Sequence, residues 1–336
     1  MDDERLPPLP AAVAEIRLAV RASLATVAAE AAATATPAPA VIVALSGGAD
    51  SLALAAATAF EAPKLGIRAI AVVVDHGLQY ASMDVAATAA RQAEGLGLEA
   101  RVVRVDVGAG AGPEASARDA RYRALEAEAD AFGASAILLG HTLDDQAETV
   151  LLGLARGSGA ASLQGMAPAS GRRIRPMLSV RRATTAAFCA ASGLTPWQDP
   201  HNLEDRFARV RVRERVLPVL EAELGPGVAE ALARTAEQLR EDNEAFEQMI
   251  NETIEDIVEH AEAGIAISVP ALAANPPAIR QRVIRHVVAS EFGVSLSRTH
   301  TLEIARLVTD WRGQGPLHVP GCEVRRVGSR IEFTAS

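Results

Sequence analysis

The most constraining feature of this chain is a junction. Val41-Ile42-Val43-Ala44-Leu45 is an unbroken apolar run of strand length, and it passes directly into Ser46-Gly47-Gly48-Ala49-Asp50-Ser51 and a helical stretch to Phe60. A short apolar run without alternation fits a strand buried on both faces. Consecutive glycines let the backbone approach an anion, so that N–H groups of the turn and of the helix N-terminus can point at it. Ser46 and Ser51 add hydroxyl donors. No Lys follows the second glycine and the spacing is not GxGxxG, so neither a Walker A loop nor a dinucleotide loop is present. Charge compensation is then expected from a cation such as Mg²⁺, with Asp50 as its ligand, because a carboxylate beside a phosphate is otherwise repulsive. The plain alternative is a strand–helix turn capped by Ser or Asp.

The chain beyond this junction repeats the theme. Residues 70–74 form a second buried strand ending at Asp75-His76-Gly77. Residues 84–96 read as helix, 99–107 as strand, 114–132 as helix and 136–139 as strand, and another helix begins near Thr142. Strands alternating with helices imply βαβ units and a doubly wound, mostly parallel sheet. The alternation stops after about residue 180. Gly225-Pro226-Gly227 is a break, Val228–Ala263 is a long amphipathic helical region, helices are expected over 278–292 and 298–310, and short strands at 317–319 and 331–333. The expected organisation is an N-terminal helical extension (1–40), a catalytic α/β domain (41–220) and a smaller, mainly helical domain with a terminal strand pair (221–336).

The net charge of −9 argues against a general nucleic-acid coat. The charge is unevenly spread, however. Residues 221–262 hold 13 acidic residues against two arginines, whereas 171–215 hold ten arginines against four acids. Arg206, Arg209, Arg211, Arg213 and Arg215 recur at short intervals with few carboxylates nearby in sequence, as a phosphate-backbone site would need. The two cysteines, Cys189 and Cys322, are too few for a disulfide scaffold or a four-cysteine metal site. No apolar run reaches membrane-spanning length, and the acidic start Met1-Asp2-Asp3-Glu4 is unlike a secretory signal, so a cytoplasmic location is expected.

Two further groups carry chemistry. His141 closes the fourth strand, at the edge where open α/β sheets bind ligands, and Asp145 stands four residues on. An imidazole and a carboxylate there suit metal binding or acid–base work, while Asp144 or Asp145 could instead cap the helix. Arg118 and Arg121 share a helix face and could clamp phosphate, or pair with Glu114 or Glu126.

The hexapeptide Ser46–Ser51 resembles the SGGxDS signature of the PP-loop ATP pyrophosphatases. The stretch His141–Met166 is similar to the signature of the tRNA(Ile)-lysidine synthase family, as are Asp75-His76-Gly77-Leu78, Ala117–Tyr122, Asp199-Pro200-His201-Asn202 with Arg209–Pro218, and the tail from Ala278. Departures from the family pattern are Gln79 for Arg, Thr142 for a second His, His201 for Ser and Val210 for Asn, and the length resembles the short form. The resemblance implies an ATP- and Mg²⁺-dependent ligase. It would adenylate the C2 oxygen of the wobble cytidine of a CAU-anticodon isoleucine tRNA, expel pyrophosphate, and let the ε-amine of free L-lysine displace AMP. It would convert decoding from AUG to AUA. Implied roles are Ser46, Gly47, Gly48, Ala49, Asp50, Ser51, Asp75, His76 and Arg118 for the nucleotide, Asp50 and Asp145 for the metal, and Asp50, Arg121, His141 and Asp145 for catalysis. Arg172, Arg173, Asn202, Arg206, Arg209, Arg211 and Arg213 would bind tRNA, and homodimerisation would be unsurprising. The rivals are a PP-loop tRNA thiolase, which would need more cysteines, a PP-loop amidotransferase, which would need an ammonia source, and an inactive ATP-binding regulator.

Overall fold

The structure is a computed structural model describing residues 9–34, 38–77, 82–106, 113–157, 159–199, 204–261 and 264–336. By contacts the chain divides into two compact units, Met1–Arg240 and Glu241–Ser336, later than the boundary expected after residue 220.

The first unit opens with helix α1 (Ala11–Ala33), followed by β1 (Ala40–Ala44), α2 (Ala49–Glu61), β2 (Arg68–Asp75), α3 (Ser82–Gly95), β3 (Glu99–Arg104), α4 (Pro113–Phe132), β4 (Ala134–Leu138) and α5 (Leu143–Ala155). Then come the short α6 (Ala160–Leu163), β5 (Ala169–Ser170), β6 (Arg173–Ile174), α7 (Arg182–Ala191), α8 (Ala208–Arg211), a π-helical turn (Val212–Val216) and α9 (Leu217–Leu224). Helix α10 (Val228–Ile257) runs past the division between the units.

The sheet of this unit has the order β3-β2-β1-β4-β6-β5, with β1 parallel to both β2 and β4 and only β5 antiparallel. Alternation along β1 sends Val41 and Val43 to one face and Ile42 to the other. The first face packs with α1, α2, α3 and α7 through Ile16, Leu24, Leu52, Ala89 and Phe188. The second packs with α4 through Leu125 and Ala129. Helix α1, to which the sequence assigned no role, is therefore core: Ile16, Val20 and Leu24 are fully buried, each contributing about 2 kcal/mol of apolar burial. The chain reverses direction across the sheet at β1, so the crevice between the C-terminal ends of β1 and β4 is the topological switch point, where such sheets bind ligands.

The second unit pairs β7 (Val258–Ala261) and β8 (Gly264–Ser268) with β9 (Leu317–Val319), β10 (Cys322–Val327) and β11 (Arg330–Ala335), in the order β7-β8-β11-β10-β9. Helices α11 (Val269–Ala274), α12 (Pro277–Phe292) and α13 (Arg298–Thr309) belong to the same unit, and Leu272, Val283, Ile304 and Phe333 share its core. The helix expected to reach residue 263 stops at Ile257, because Val258–Ala261 pairs antiparallel with β8.

Candidate active site

The loop leaving β1 is built as the sequence suggests, but its hydroxyls are used internally. Gly47 has φ +84°, a left-handed conformation that penalises any side chain, and a Cβ there would touch Ala89 at 3.4 Å. Gly48 is the N-cap of α2, which leaves the N–H groups of the first turn unbonded within the helix. Ser51 Oγ donates to the Gly48 carbonyl at 3.1 Å, accepts the Ser46 N–H at 3.1 Å and lies 3.1 Å from Ser46 Oγ. The two serines staple the loop shut around its backbone donors. Trp197 N–H donates to the Gly47 carbonyl at 2.9 Å from the far side. On the neighbouring strand, Asp75 Oδ1 accepts the Gly77 N–H at 2.9 Å, fixing the turn that carries His76.

Gly140 brings β4 against this loop. A Cβ at Gly140 would sit 3.1 Å from backbone atoms of Asp50 and Ser51, so only glycine allows this approach. His141 then feels charges of both signs, those of Arg118, Arg121 and Arg175 and that of Asp145. The Arg118 and Arg121 guanidinium carbons lie 5.4 Å from the Tyr122 ring centroid, and that of Arg173 lies 5.0 Å away. Burial would raise the Tyr122 phenol, but the charges of Arg118, Arg121 and Arg175 outweigh it and hold the pKa below its ordinary value. Arg121 Nε, Arg175 Nε, His76 Nδ1 and His141 Nδ1 are buried with no hydrogen-bond partner among the described residues. Burial, helped by Arg175, Arg121 and Arg118 against the opposing pull of Asp145, lowers the His141 pKa to about 4, so the ring is neutral at pH 7. Glu126, the anticipated partner of Arg118 and Arg121, instead pairs with Arg173 at 3.6 Å, and the Glu114 side chain lies outside the described residues.

A second cluster interleaves the carboxylates Asp50, Asp145 and Glu148 with the guanidinia of Arg182, Arg209 and Arg213. Asp145 divides its two oxygens between cap and cluster. Oδ2 accepts the Thr142 N–H at 2.9 Å and the Thr142 hydroxyl at 2.8 Å, completing a capping box, while Oδ1 accepts from Arg182 Nη2 at 2.9 Å. Thr142, a departure from the family pattern, is thus the N-cap of α5. Asp144 has a separate duty, accepting the Arg182 N–H at 2.7 Å and so anchoring the start of α7. Glu148 is fully buried and accepts from Arg213 at 2.8 Å and Arg182 at 3.1 Å, with Arg209 3.5 Å away. Asp50 accepts from the Thr185 hydroxyl and stands 3.6 Å from Arg182. Burial nevertheless keeps the Asp50 carboxyl above its ordinary pKa despite both contacts.

Residues 20–220 match the family described as the PP-loop domain, and residues 267–331 match the TilS substrate binding domain. A tRNA(Ile)-lysidine synthase of Leifsonia xyli subsp. xyli is 58% identical over 88% of this chain and 90% of its own length. One of Streptomyces coelicolor is 49% identical over 88% of this chain and 85% of its own. The chain belongs to the tRNA(Ile)-lysidine synthase family. The fold is shared more widely: the U34-tRNA thiolase NcsA from Methanococcus maripaludis with its 4Fe-4S cluster superposes with a TM-score of 0.56 over 68% of this chain and 80% of that one, at 21% identity.

Within this lysidine synthase scaffold, the arginines expected to face tRNA are not the unneutralised run that their spacing suggests. Arg209 and Arg213 turn inward to Glu148, and Arg213 comes within 3.8 Å of Asp145, presented by the π-helical turn. Arg211 donates to the carbonyls of Asp205 and Arg206 at 2.6 and 3.0 Å, and Arg206 pairs with Glu204 at 2.5 Å. Arg215 pairs with Asp205, and Arg172 with Asp130. Val210 is buried. Gln79, His201 and Asn202 lie outside the described residues. The sequence reading missed Glu148, Arg175 and Arg182. Each is a charged side chain in a stretch that reads as solvated helix or turn, and only the fold brings them together.

Proposed function

We propose that this protein ligates L-lysine to C2 of the wobble cytidine of CAU-anticodon tRNA(Ile), using ATP and passing through an adenylated cytidine. The observation that supports the reading is the glycine loop after β1, held against Gly140 of the β4 edge, where His141 feels Arg118, Arg121 and Arg175 as well as Asp145. The loop amides around Gly47–Ala49 receive the departing diphosphate. Arg121, with Arg118 and Arg175, faces the α-phosphate, where charge develops as the cytidine O2 attacks. Neutral His141 offers a hydrogen bond to the reacting base or phosphate without adding charge. Asp50 and Asp145, expected as metal ligands, are unequal. Asp145 uses both oxygens on protein groups, while half-buried Asp50 keeps its carboxyl above the ordinary pKa despite Thr185 and Arg182. Asp50 is therefore the residue that would hold Mg²⁺, which would supply neutralisation of the diphosphate charge.

Lysine is both cation and zwitterion. The carboxylates of Asp50, Asp145 and Glu148 and the guanidinium of Arg213 match its ammonium and carboxylate groups, and a carboxylate beside the ε-ammonium can take the proton lost before attack. The wobble base must leave its stack to reach this crevice. Arg172, Arg173 and Arg206 remain candidate phosphate contacts, since exposed ion pairs are worth about 0–1 kcal/mol and exchange readily for a phosphate, and Arg211 joins them through its exposed guanidinium on the Asp205 and Arg206 carbonyls. The second unit, with Arg280, Arg282 and Arg285 on α12, is the candidate reader of tRNA outside the anticodon. Incubation with labelled ATP and tRNA(Ile) in the absence of lysine tests the scheme: AMP should become covalently attached to the tRNA, and its absence in single turnover refutes the two-step route.

A further inference from the structure

We infer that Arg182 is a positioning residue for this reaction: its single guanidinium ties the loop carboxylate Asp50 to the α5 carboxylates Asp145 and Glu148 and sets their spacing before any ligand arrives. The inference rests on the proposed function for its kinetic arm only. Arg182 Nε lies 3.6 Å from Asp50, Nη2 donates to Asp145 at 2.9 Å, and Nη1 donates to Glu148 at 3.1 Å. Its backbone is held as firmly as its side chain. The Arg182 N–H donates to Asp144 at 2.7 Å, and the buried Thr185 hydroxyl, one turn on, donates to both Asp50 and the Arg182 carbonyl. The first turn of α7 thus supplies two of the contacts to Asp50, and α7 is fixed to α2 by Phe188 and Cys189 in the core.

The neighbouring cations do not duplicate this. Arg213 reaches Asp145 and Glu148, Arg209 reaches Glu148, and among the described residues Arg182 alone is ion-paired with Asp50. A planar fork with five donors can span three acceptors, whereas the point charge of a lysine ammonium cannot. Without the fork, three carboxylates from two elements share two guanidinia that both approach from the α5 side. Mutual repulsion then separates Asp50 from Asp145, while the extra negative charge does nothing to weaken capture of an amine.

The test compares R182M and R182K with the wild type in lysidine formation, with kcat and KM for lysine measured per folded molecule, and in crystal structures of the variants. Both substitutions should lower kcat about 10–100-fold, the usual effect of removing a group that orients catalytic ligands, with KM for lysine unchanged or lower. The R182M crystal should show Asp50 and Asp145 moved apart. R182K keeps the charge, so it remains informative if R182M folds poorly. A raised KM for lysine with kcat held would make Arg182 a substrate ligand, and an unchanged kcat would make it only structural. Either result overturns the inference. So does an R182M crystal in which the three carboxylates are unmoved, whatever reaction the enzyme performs. A wild type that forms no lysidine instead refutes the proposed function, leaving the crystallographic arm to decide the inference.

Discussion

Glu148→Gln isolates the electrostatics of the site from its packing. The amide is nearly isosteric, yet it removes the one carboxylate on which three guanidinia converge: Arg213 at 2.8 Å, Arg182 at 3.1 Å and Arg209 at 3.5 Å. Glu148 itself has no exposed surface, while the three arginine side chains retain 23–32% exposure. Breaking a buried ion pair by removing one partner costs about 3–5 kcal/mol. Water can reach the arginines, so the lower end, about 3 kcal/mol, applies. A unit of this size loses about 2–4 °C in Tm per kcal/mol, which places the shift at about 6–12 °C. Differential scanning calorimetry of E148Q should show that drop in the transition of the first unit. E126Q, which removes a half-exposed partner of Arg173, should move it by less than about 2 °C. A shift in E148Q no larger than in E126Q would refute the argument that Glu148 is the hub of the cluster.

Gly47→Ala places a side chain at φ +84°, at a cost of about 1–2 kcal/mol, and distorts the backbone donors of the loop; pyrophosphate release should fall far more than stability, and unimpaired release would show that the loop does not grip the diphosphate. The His141 pKa of about 4 lies below that of an unfolded imidazole, so the unfolded chain binds more protons between about pH 4 and 6.5, and stability from this residue is complete above that window and lost as pH falls through it. Urea titrations at pH 7 and pH 5 should show a smaller loss in His141→Gln than in the wild type, and equal losses would mean that His141 is not buried as a neutral ring.

The phosphate loop was legible in the sequence because its signal is local: an apolar strand, a glycine pair and a helix start within a dozen residues dictate one backbone path. The parallel sheet and the helices α2 to α5 were legible for the same reason. The carboxylate–guanidinium cluster was not. Glu148 lies on a helix between Ala147 and Thr149 and reads as a solvent-facing charge until α7 and the 208–216 segment close over it. Arg209 and Arg213 read as a phosphate-binding run because sequence distance hides the acids that they meet. Asp144 and Asp145 posed a choice between cap and function that the fold dissolves, since Asp145 caps with one oxygen and faces the site with the other. Val258–Ala261 continued the acidic, helix-like pattern and became a strand only because β8 was available to pair with it.

The crevice is proposed to join lysine to an activated cytidine. Mass spectrometry of the wobble nucleoside, after incubating the purified protein with ATP, Mg²⁺, L-lysine and CAU-anticodon tRNA(Ile), tests it most directly. The expected product is a cytidine heavier by one lysine less one water, absent when ATP or lysine is withheld. An unmodified cytidine, or one carrying sulfur in place of the C2 oxygen, would contradict it.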